Sequence, residues 1–381
     1  MSEPWKVTLT EISLPESDVE AVLDTLRSGW LTMGPKTLEL EKAFCDYTGS
    51  AHAVAVSSAT AALHMACLAA EVGPGDEVIA PALSFVADAH AGRIAGGETV
   101  LADCVSPAEP LMDPAHVESL VTERTKAIIA VHMFGYPADI DALRAIADER
   151  GIALIEDCAE SDGGKLRDGS RAGTAGICGC FSFFSKTQLG VGEGGIMVTD
   201  SEEFAAELRK LRSHAMTSVT WDRHRGHAET YDVTRLGFNF RIDEPRATLA
   251  MARLARLDDE LGELRRVANA YREHLAAIDG IEVPFPDEWV ELSGHFAFPV
   301  LVADRETRDA VRESMHAQRV QTTFYPSLTQ LSVYEPKRPE DERPVAEEIA
   351  DRHFALPLSP TLDDAKIEIV VDALTSALAC T

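Results

Sequence analysis

Apolar and polar positions along this chain follow two rhythms, and the rhythms take turns. Residues 16–30, ESDVEAVLDTLRSGW, set Val19, Val22, Leu23 and Leu26 at helical spacing, and residues 36–47 carry a second helical pattern. AVAVSS at 53–58 is a short apolar run that reads as a buried strand, with a helix over 59–72 behind it. The alternation continues with a strand at 77–85, a helix near 86–95 and a strand at 99–104. A strand at 125–134, a helix at 139–151 and a strand at 152–157 follow. Apolar strands separated by amphipathic helices predict an α/β fold with a mainly parallel central sheet. In such a sheet, candidate site residues belong at the C-terminal ends of the strands.

From about residue 246 the texture changes. Residues 246–278 are helical in pattern and heavily charged, which predicts one long connecting helix. Short strands at 294–303 and 320–326 and helices at 306–318 and 365–378 predict a smaller α+β unit. The expected organisation is a large domain over 1–245 and a C-terminal small domain over 246–381 that includes the connecting helix. Residues 329–346, rich in Pro, Glu and Arg, read as an exposed loop, and no internal repeat is present.

Composition narrows the classes. With 381 residues, 45% of them hydrophobic, the chain can bury a large core. Its 35 basic and 63 acidic residues leave a net charge of −28, which argues against binding to nucleic acid or an anionic membrane surface. No apolar run approaches the roughly 20 residues of a membrane span. The start MSEPWKVTLTE has no basic stretch followed by an apolar one, so no secretory signal is expected. Seven cysteines, an odd number with no C-x-x-C pair, predict neither a disulfide framework nor a structural zinc site. The expected setting is a reducing cytoplasm, with no metal, and Cys178 and Cys180 are expected to pack.

Candidate chemistry concentrates between Ile155 and Asp200. Asp157 closes an apolar strand; a carboxylate there can pair with a protonated ring nitrogen, or simply cap a helix or meet a surface cation. Glu156 should face the other side of the sheet. Ser182 and Lys186 lie in FSFFSK, ahead of the tight-turn signal Gly192-Glu193-Gly194-Gly195. A lysine in a closed pocket can bond to an aldehyde carbon, whereas a lysine after a strand is usually just solvated. Ser57-Ser58-Ala59-Thr60 joins a strand to a helix, which suits either phosphate binding or an N-cap. Phe85 can stack on a flat ring or belong to the core. Asn239 in GFNFR can reach a phosphate or close its own turn. His52, His64, His90 and His132 read as packing or surface residues.

Taken together, these segments make the chain resemble the DegT/StrS family of sugar aminotransferases, pyridoxal-phosphate enzymes of fold type I. The resemblance spans nearly the whole chain. It rests on LRSGWLTMGPKTLELEKAF, AVAVSSATAALHMA, GPGDEVIAPALSFVADAHA, VHMFGYPADIDAL, IEDCAES and FSFFSK with GEGG. SHAMTSVTWDRHRGHAETYDV, LGFNFRIDEPRATLAMARL and HFALPLSP extend it. It implies that pyridoxal 5'-phosphate, or pyridoxamine 5'-phosphate, is the cofactor. Asp157 would hold the ring nitrogen; Ser58, Ala59, Thr60 and Ser182 the phosphate; Phe85 one ring face. Asn239 would reach the cofactor of the second subunit in a homodimer with shared active sites. Trp30, Thr32, Met33 and Tyr325 would lie near the substrate, a keto-sugar on a nucleotide or a cyclitol or aminoglycoside precursor, with glutamate a common amino donor.

Two positions depart from the family's pattern. Counting from Phe181 and back from Gly192, the family's lysine position falls on Thr187, so Lys186 comes one residue early. Glu160 stands where Gln or His is usual beside the cofactor's ring hydroxyl. The leading expectation is an aminotransferase in which Lys186 and Asp157 are catalytic. The alternatives are a lysine-less member performing dehydration or other non-transaminase chemistry, and a diverged non-catalytic partner subunit.

Overall fold

The structure, a computed structural model, describes residues 4–217, 230–334 and 341–380. The first helices, α1 (Glu16–Arg27) and α2 (Pro35–Thr48), precede strand β1 (His52–Val56). Helix α2 starts on Gly34-Pro35 and stops on Gly49 at φ 85°, a left-handed position that suits glycine. Then come α3 (Ala59–Ala69), β2 (Glu77–Pro81), α4 (Val86–Ile94) and β3 (Glu98–Ala102). A small antiparallel hairpin, β4 (Cys104–Ser106) with β5 (Glu109–Met112), leads into α5 (Pro114–Leu120). After it lie β6 (Thr125–Val131), α6 (Ile140–Arg150), β7 (Ala153–Asp157), β8 (Cys178–Ser182), β9 (Gly195–Thr199) and α7 (Glu202–Arg212).

Seven strands form one sheet in the order β1-β9-β8-β7-β6-β2-β3. Only β9 runs against its neighbours. Side chains alternate across the strands, so the sheet has two apolar faces. Ile79, Ile128, Leu154, Phe181 and Ile196 share one cluster with Leu40 and Phe44 of α2. Val54, Val78, Ile129, Ile155, Cys178, Cys180 and Met197 share the other with Leu63 and Met65 of α3 and Leu208 of α7. The expected α/β class with a mainly parallel sheet is what the chain adopts, and Cys178 and Cys180 are buried free thiols packed in this core.

The C-terminal part holds a two-stranded antiparallel sheet, β10 (Phe298–Leu301) with β11 (His353–Leu356). Packed with it are α10 (Arg305–Ala317), α11 (Pro344–Arg352) and α12 (Asp364–Leu378). Three expectations need correction here. Residues 246–278 are not one helix: α8 (Glu244–Leu254) ends at Ala255, and α9 (Leu257–Leu275) begins after Arg256 at φ −120°, ψ 9°. The break lets α8 pack on α1 and α2 while α9 turns to α12. Residues 320–326 form no strand; their only ladder contacts among the described residues are single bridges, Val320 to Val7 and Thr323 to Ala355. The stretch 329–346 is not all loop, because α11 already starts at Pro344; its residues 335–340 lie outside the described residues. Within SHAMTSVTWDRHRGHAETYDV, residues 218–229 also lie outside them. Among the described residues, no helix is long and apolar enough to cross a membrane.

Candidate active site

Strand register gathers the candidate residues at one edge of the sheet. Gly195 pairs with Val56 on one side and with Ser182 on the other. The turn after β1 is therefore brought beside the end of β8. Asp157 pairs with Val131 and with Cys180, which sets its carboxyl at the same edge two residues short of Ser182.

At one end of the cleft, Ser58 is extended (φ −170°, ψ 161°) and its Oγ accepts from Ala61 N at 3.1 Å. The N-cap reading of the sequence thus holds for Ser58. The cap leaves the first N–H groups of α3, at Ala59 and Thr60, directed out of the helix end, where an anion is favoured. A side chain on Gly195 would come within 2.9 Å of Ala59 N and 2.7 Å of Phe181 O, so only glycine lets β9 approach this turn. Ser182 is buried, and its Oγ accepts from Phe184 N at 3.2 Å.

The floor of the cleft is acidic. Asp157 is buried, with Oδ1 accepting from Ala159 N at 2.7 Å. Beside it in the cleft lies Asp88 from the first turn of α4, its carboxyl near that of Asp157 and gripped by the Ser84 hydroxyl. Burial raises the pKa of each acid. Sequence reasoning missed Asp88. Glu160 also lines the cleft, accepting from Phe134 N at 2.6 Å. Burial pushes its carboxyl up to about 8, the Phe134 N–H pulling the other way and the Asp157 charge adding to the rise.

Glu156, on the opposite face as expected, serves the scaffold. It accepts from Gly173 N at 2.9 Å, Ala175 N at 2.8 Å and Gly176 N at 2.7 Å, which shapes the long connection from β7 to β8. His132 Nε2 lies 3.1 Å from its Oε2, while His132 Nδ1 accepts from Ala138 N at 3.2 Å. Cys158 completes the one group of potential metal ligands among the described residues. With the His132 ring nitrogens and the Glu156 oxygens engaged in this bonding, the trio reads as a structural knot.

The loop after β8 separates Lys186 from Thr187. Thr187 is buried, and its hydroxyl donates to Ser182 O at 2.8 Å. Lys186 is exposed at the rim and is the one lysine or arginine that lines the cleft among the described residues. The loop is pinned from several sides. Arg253 Nη2 donates to Gln188 O at 2.7 Å, Gln188 Nε2 to Gly294 O at 2.5 Å, and Val191 N to Phe183 O at 2.9 Å.

The cleft encloses about 450 Å³. Of the residues singled out from sequence, Ser58, Ala59, Thr60, Phe85, Asp157, Glu160, Ser182, Lys186 and Tyr325 border it. Phe85 is 64% exposed, so its ring is available to a ligand and does not belong to the core. Four others lie elsewhere on this chain. Trp30 borders a separate groove with Thr25, Glu244 and Met251; Thr32 is exposed and Met33 buried. This loop is held by α8, since Glu244 Oε1 accepts from Gly34 N at 2.8 Å and from Thr37 N at 2.9 Å. Asn239 is exposed between Phe238 and Phe240, whose stacked rings are 4.8 Å apart. Its segment is tied to the turn ahead of α3, because Ser57 N donates to Phe240 O at 2.8 Å.

Free N–H groups at one end, an exposed aromatic face, a buried carboxyl and a rim lysine suit a flat, phosphorylated pyridine ring. Comparison with known proteins agrees. TlmJ, an aminotransferase from Streptoalloteichus hindustanus, matches at 31% identity with a TM-score of 0.90, over 98% of this chain and 99% of its own. DesV from S. venezuelae matches at 32% with a TM-score of 0.88, over 98% of each chain. Spr1654 from Streptococcus pneumoniae, solved in a PMP-form and also a PLP-form, matches in the former at 26% with a TM-score of 0.91, over the whole of each chain. Fold and site together define a fold-type-I, pyridoxal-phosphate-dependent aminotransferase. The family model for the DegT/DnrJ/EryC1/StrS aminotransferase family matches residues 13–375, and the chain belongs to that family.

Proposed function

We infer that this enzyme moves an amino group from a donor such as glutamate to a keto-sugar carried on a nucleotide, or to a cyclitol or aminoglycoside precursor. The setting fits a cytoplasmic antibiotic or sugar pathway. Lys186 and Asp157 are the catalytic residues. The observation that carries the reading is that, among the described residues, Lys186 is the lone lysine at a cleft whose floor is the Asp157 carboxyl.

Bound pyridoxal phosphate supplies an electron sink for the substrate carbon that gives up its proton. Ala59 and Thr60 N–H groups, with Ser58 and Ser182, hold the phosphate. Asp157 keeps a proton on the ring nitrogen. Phe85 covers one ring face and excludes water from it. Glu160 in its acid form donates to the ring hydroxyl, as an amide would in its place. Lys186 Nζ takes the proton at the substrate carbon and returns it. Asn239 serves the cofactor of the second subunit in a homodimer, and Tyr325, with Trp30, Thr32 and Met33 of one copy or the other, faces the substrate.

A second reading has its own observation. Thr187, at the family's lysine position, is committed to Ser182 O, and the loop's bonds through Gln188 and Val191 oppose a one-residue slip. If Lys186 stays solvated, the enzyme works without a covalent lysine, as a sugar dehydratase that would use the aminated cofactor. Borohydride reduction of the protein incubated with pyridoxal phosphate separates the two. A pyridoxyl group on the tryptic peptide that contains Lys186 is the expected result; label elsewhere overturns the Lys186 assignment, and no label moves the assignment to the lysine-less chemistry.

A further inference from the structure

Asp88 has no role in the mechanism above, yet its placement is unusual. It sits in the first turn of α4, where an acid ordinarily faces solvent and reaches back to cap the helix. Here it is only 1% exposed. The Ser84 hydroxyl, itself 4% exposed, donates to Asp88 Oδ2. The other oxygen, Oδ1, is buried with no donor in reach, and the carboxyl faces that of Asp157. No ion pair involves Asp88 or Asp157 among the described residues. Two facing carboxyls are both acceptors when ionised, so they bond only when one of them carries a proton. Asp157 already receives the Ala159 N–H, which favours its charged form. Asp88, the more buried of the two and lacking such a donor at Oδ1, is left as the acid.

We propose that Asp88 is a neutral carboxylic acid that donates its proton to a hydrogen bond with Asp157, and is thereby the positioning residue that orients the Asp157 carboxylate toward the cofactor's ring nitrogen. The arrangement also balances charge. One carboxylate meets one protonated ring nitrogen in a buried floor, whereas an ionised Asp88 would leave an unpaired negative charge there. The inference rests on the assignment of Asp157 to the ring nitrogen. It adds a residue that contacts neither substrate nor cofactor and acts through its neighbour.

Asparagine is the discriminating substitution. In Asp88→Asn the amide N–H can donate to Asp157 while its carbonyl accepts from Ser84, with no proton required. In Asp88→Ala the donor is gone. Titration of the cofactor-free protein with pyridoxal phosphate should find Asp88→Asn near wild type and Asp88→Ala weaker by about tenfold or more, the affinity carried by one hydrogen bond to a charged group. Equal affinity of Asp88→Ala and wild type overturns the proposal, provided Asp157→Ala binds more weakly. If Asp157→Ala also binds normally, the ring-nitrogen assignment itself has failed.

A cofactor-free readout guards against a misfolded variant. The acid form of Asp88 is raised in the folded state, so its stabilisation is full at low pH and is lost as pH rises above the ordinary carboxylate range. The melting temperature of wild type minus that of Asp88→Asn should therefore fall steadily as pH rises above the ordinary carboxylate range. A constant difference overturns the neutral-acid assignment. The titratable groups around the pair are Glu160, Cys67 from α3, Cys158, Cys180 from β8, Asp162, His132 just after β6 and Lys186 at the rim. All are common to the two proteins, so the difference isolates the Asp88–Asp157 pair.

Discussion

Glu160 carries a proton at neutral pH, because burial pushes its carboxyl up to about 8. That state gives an acid the O–H donor that Gln would offer at the same place, and it explains how the departure can leave the chemistry intact. The sign of the pH effect follows. Below about 8 the group is neutral and donates; above it the donor disappears and a negative charge arises beside Asp157. Turnover should fall on the alkaline side as pH passes that value. Glu160→Gln should keep neutral-pH turnover within about threefold, one neutral donor replacing another, and should flatten the alkaline limb. A pH profile of kcat/KM on both proteins checks this, and an unchanged limb in the variant assigns the fall to another group. Some of this chemistry is open to a reader of the sequence and some is not. Asp157 and Ser182 close apolar runs, and a strand end is a place where function is expected. Asp88 sits in FVADAHAG, which looks like any helix with one solvated acid; its Ser84 partner is local, but its burial against Asp157 is a contact between segments far apart in sequence. The opposite directions of Lys186 and Thr187 likewise depend on bonds to Ser182, Gly294 and Arg253.

At the scale of elements, the site depends on how closely β9 approaches the start of α3. A Cβ on Gly195 would lie 2.7 Å from Phe181 O and 2.9 Å from Ala59 N, both backbone atoms that cannot swing aside. Gly195→Ala should part β9 from this turn, costing about 1–3 kcal/mol of stability by overpacking and weakening cofactor binding through displacement of the Ala59 and Thr60 N–H groups. Urea unfolding beside a pyridoxal phosphate titration measures the two effects; unchanged values for both would mean the turn has more slack than its contacts imply. The same closeness hid β9 from sequence reading. GEGGIMVT offers only a short apolar run after glycines, and what makes it a strand is pairing on both edges, with β1 and β8. The break between α8 and α9 was hidden for the converse reason. The helical pattern continues through Ala255 and Arg256, and the turn there is set by partners: Arg256 Nη1 lies 2.6 Å from Asp18 Oδ2 of α1, while Leu261 and Leu264 of α9 face the core.

For the whole molecule, one chain supplies the cleft's Asp157 floor, the start of α3 and the rim lysine, while Asn239 and the Trp30–Met33 loop lie away from it. This division is what an enzyme with active sites shared across a homodimer would require, with residues of each subunit completing the site of the other. Two inactive variants can test it together. Lys186→Ala disables the cleft of its own subunit; Asn239→Ala should weaken the cleft of its partner. In a heterodimer of the two, one site carries both lesions and the other carries neither. After unfolding and refolding an equal mixture, random pairing gives half heterodimers, so about a quarter of all sites should regain activity if the two lesions fall on opposite subunits. If Asn239 instead served its own chain's cleft, every site in every dimer would keep one lesion and the mixture would stay as inactive as its components. Sedimentation of the same samples, run alongside, must find dimers for the arithmetic to apply; a monomer with full activity would remove the shared-site arrangement altogether.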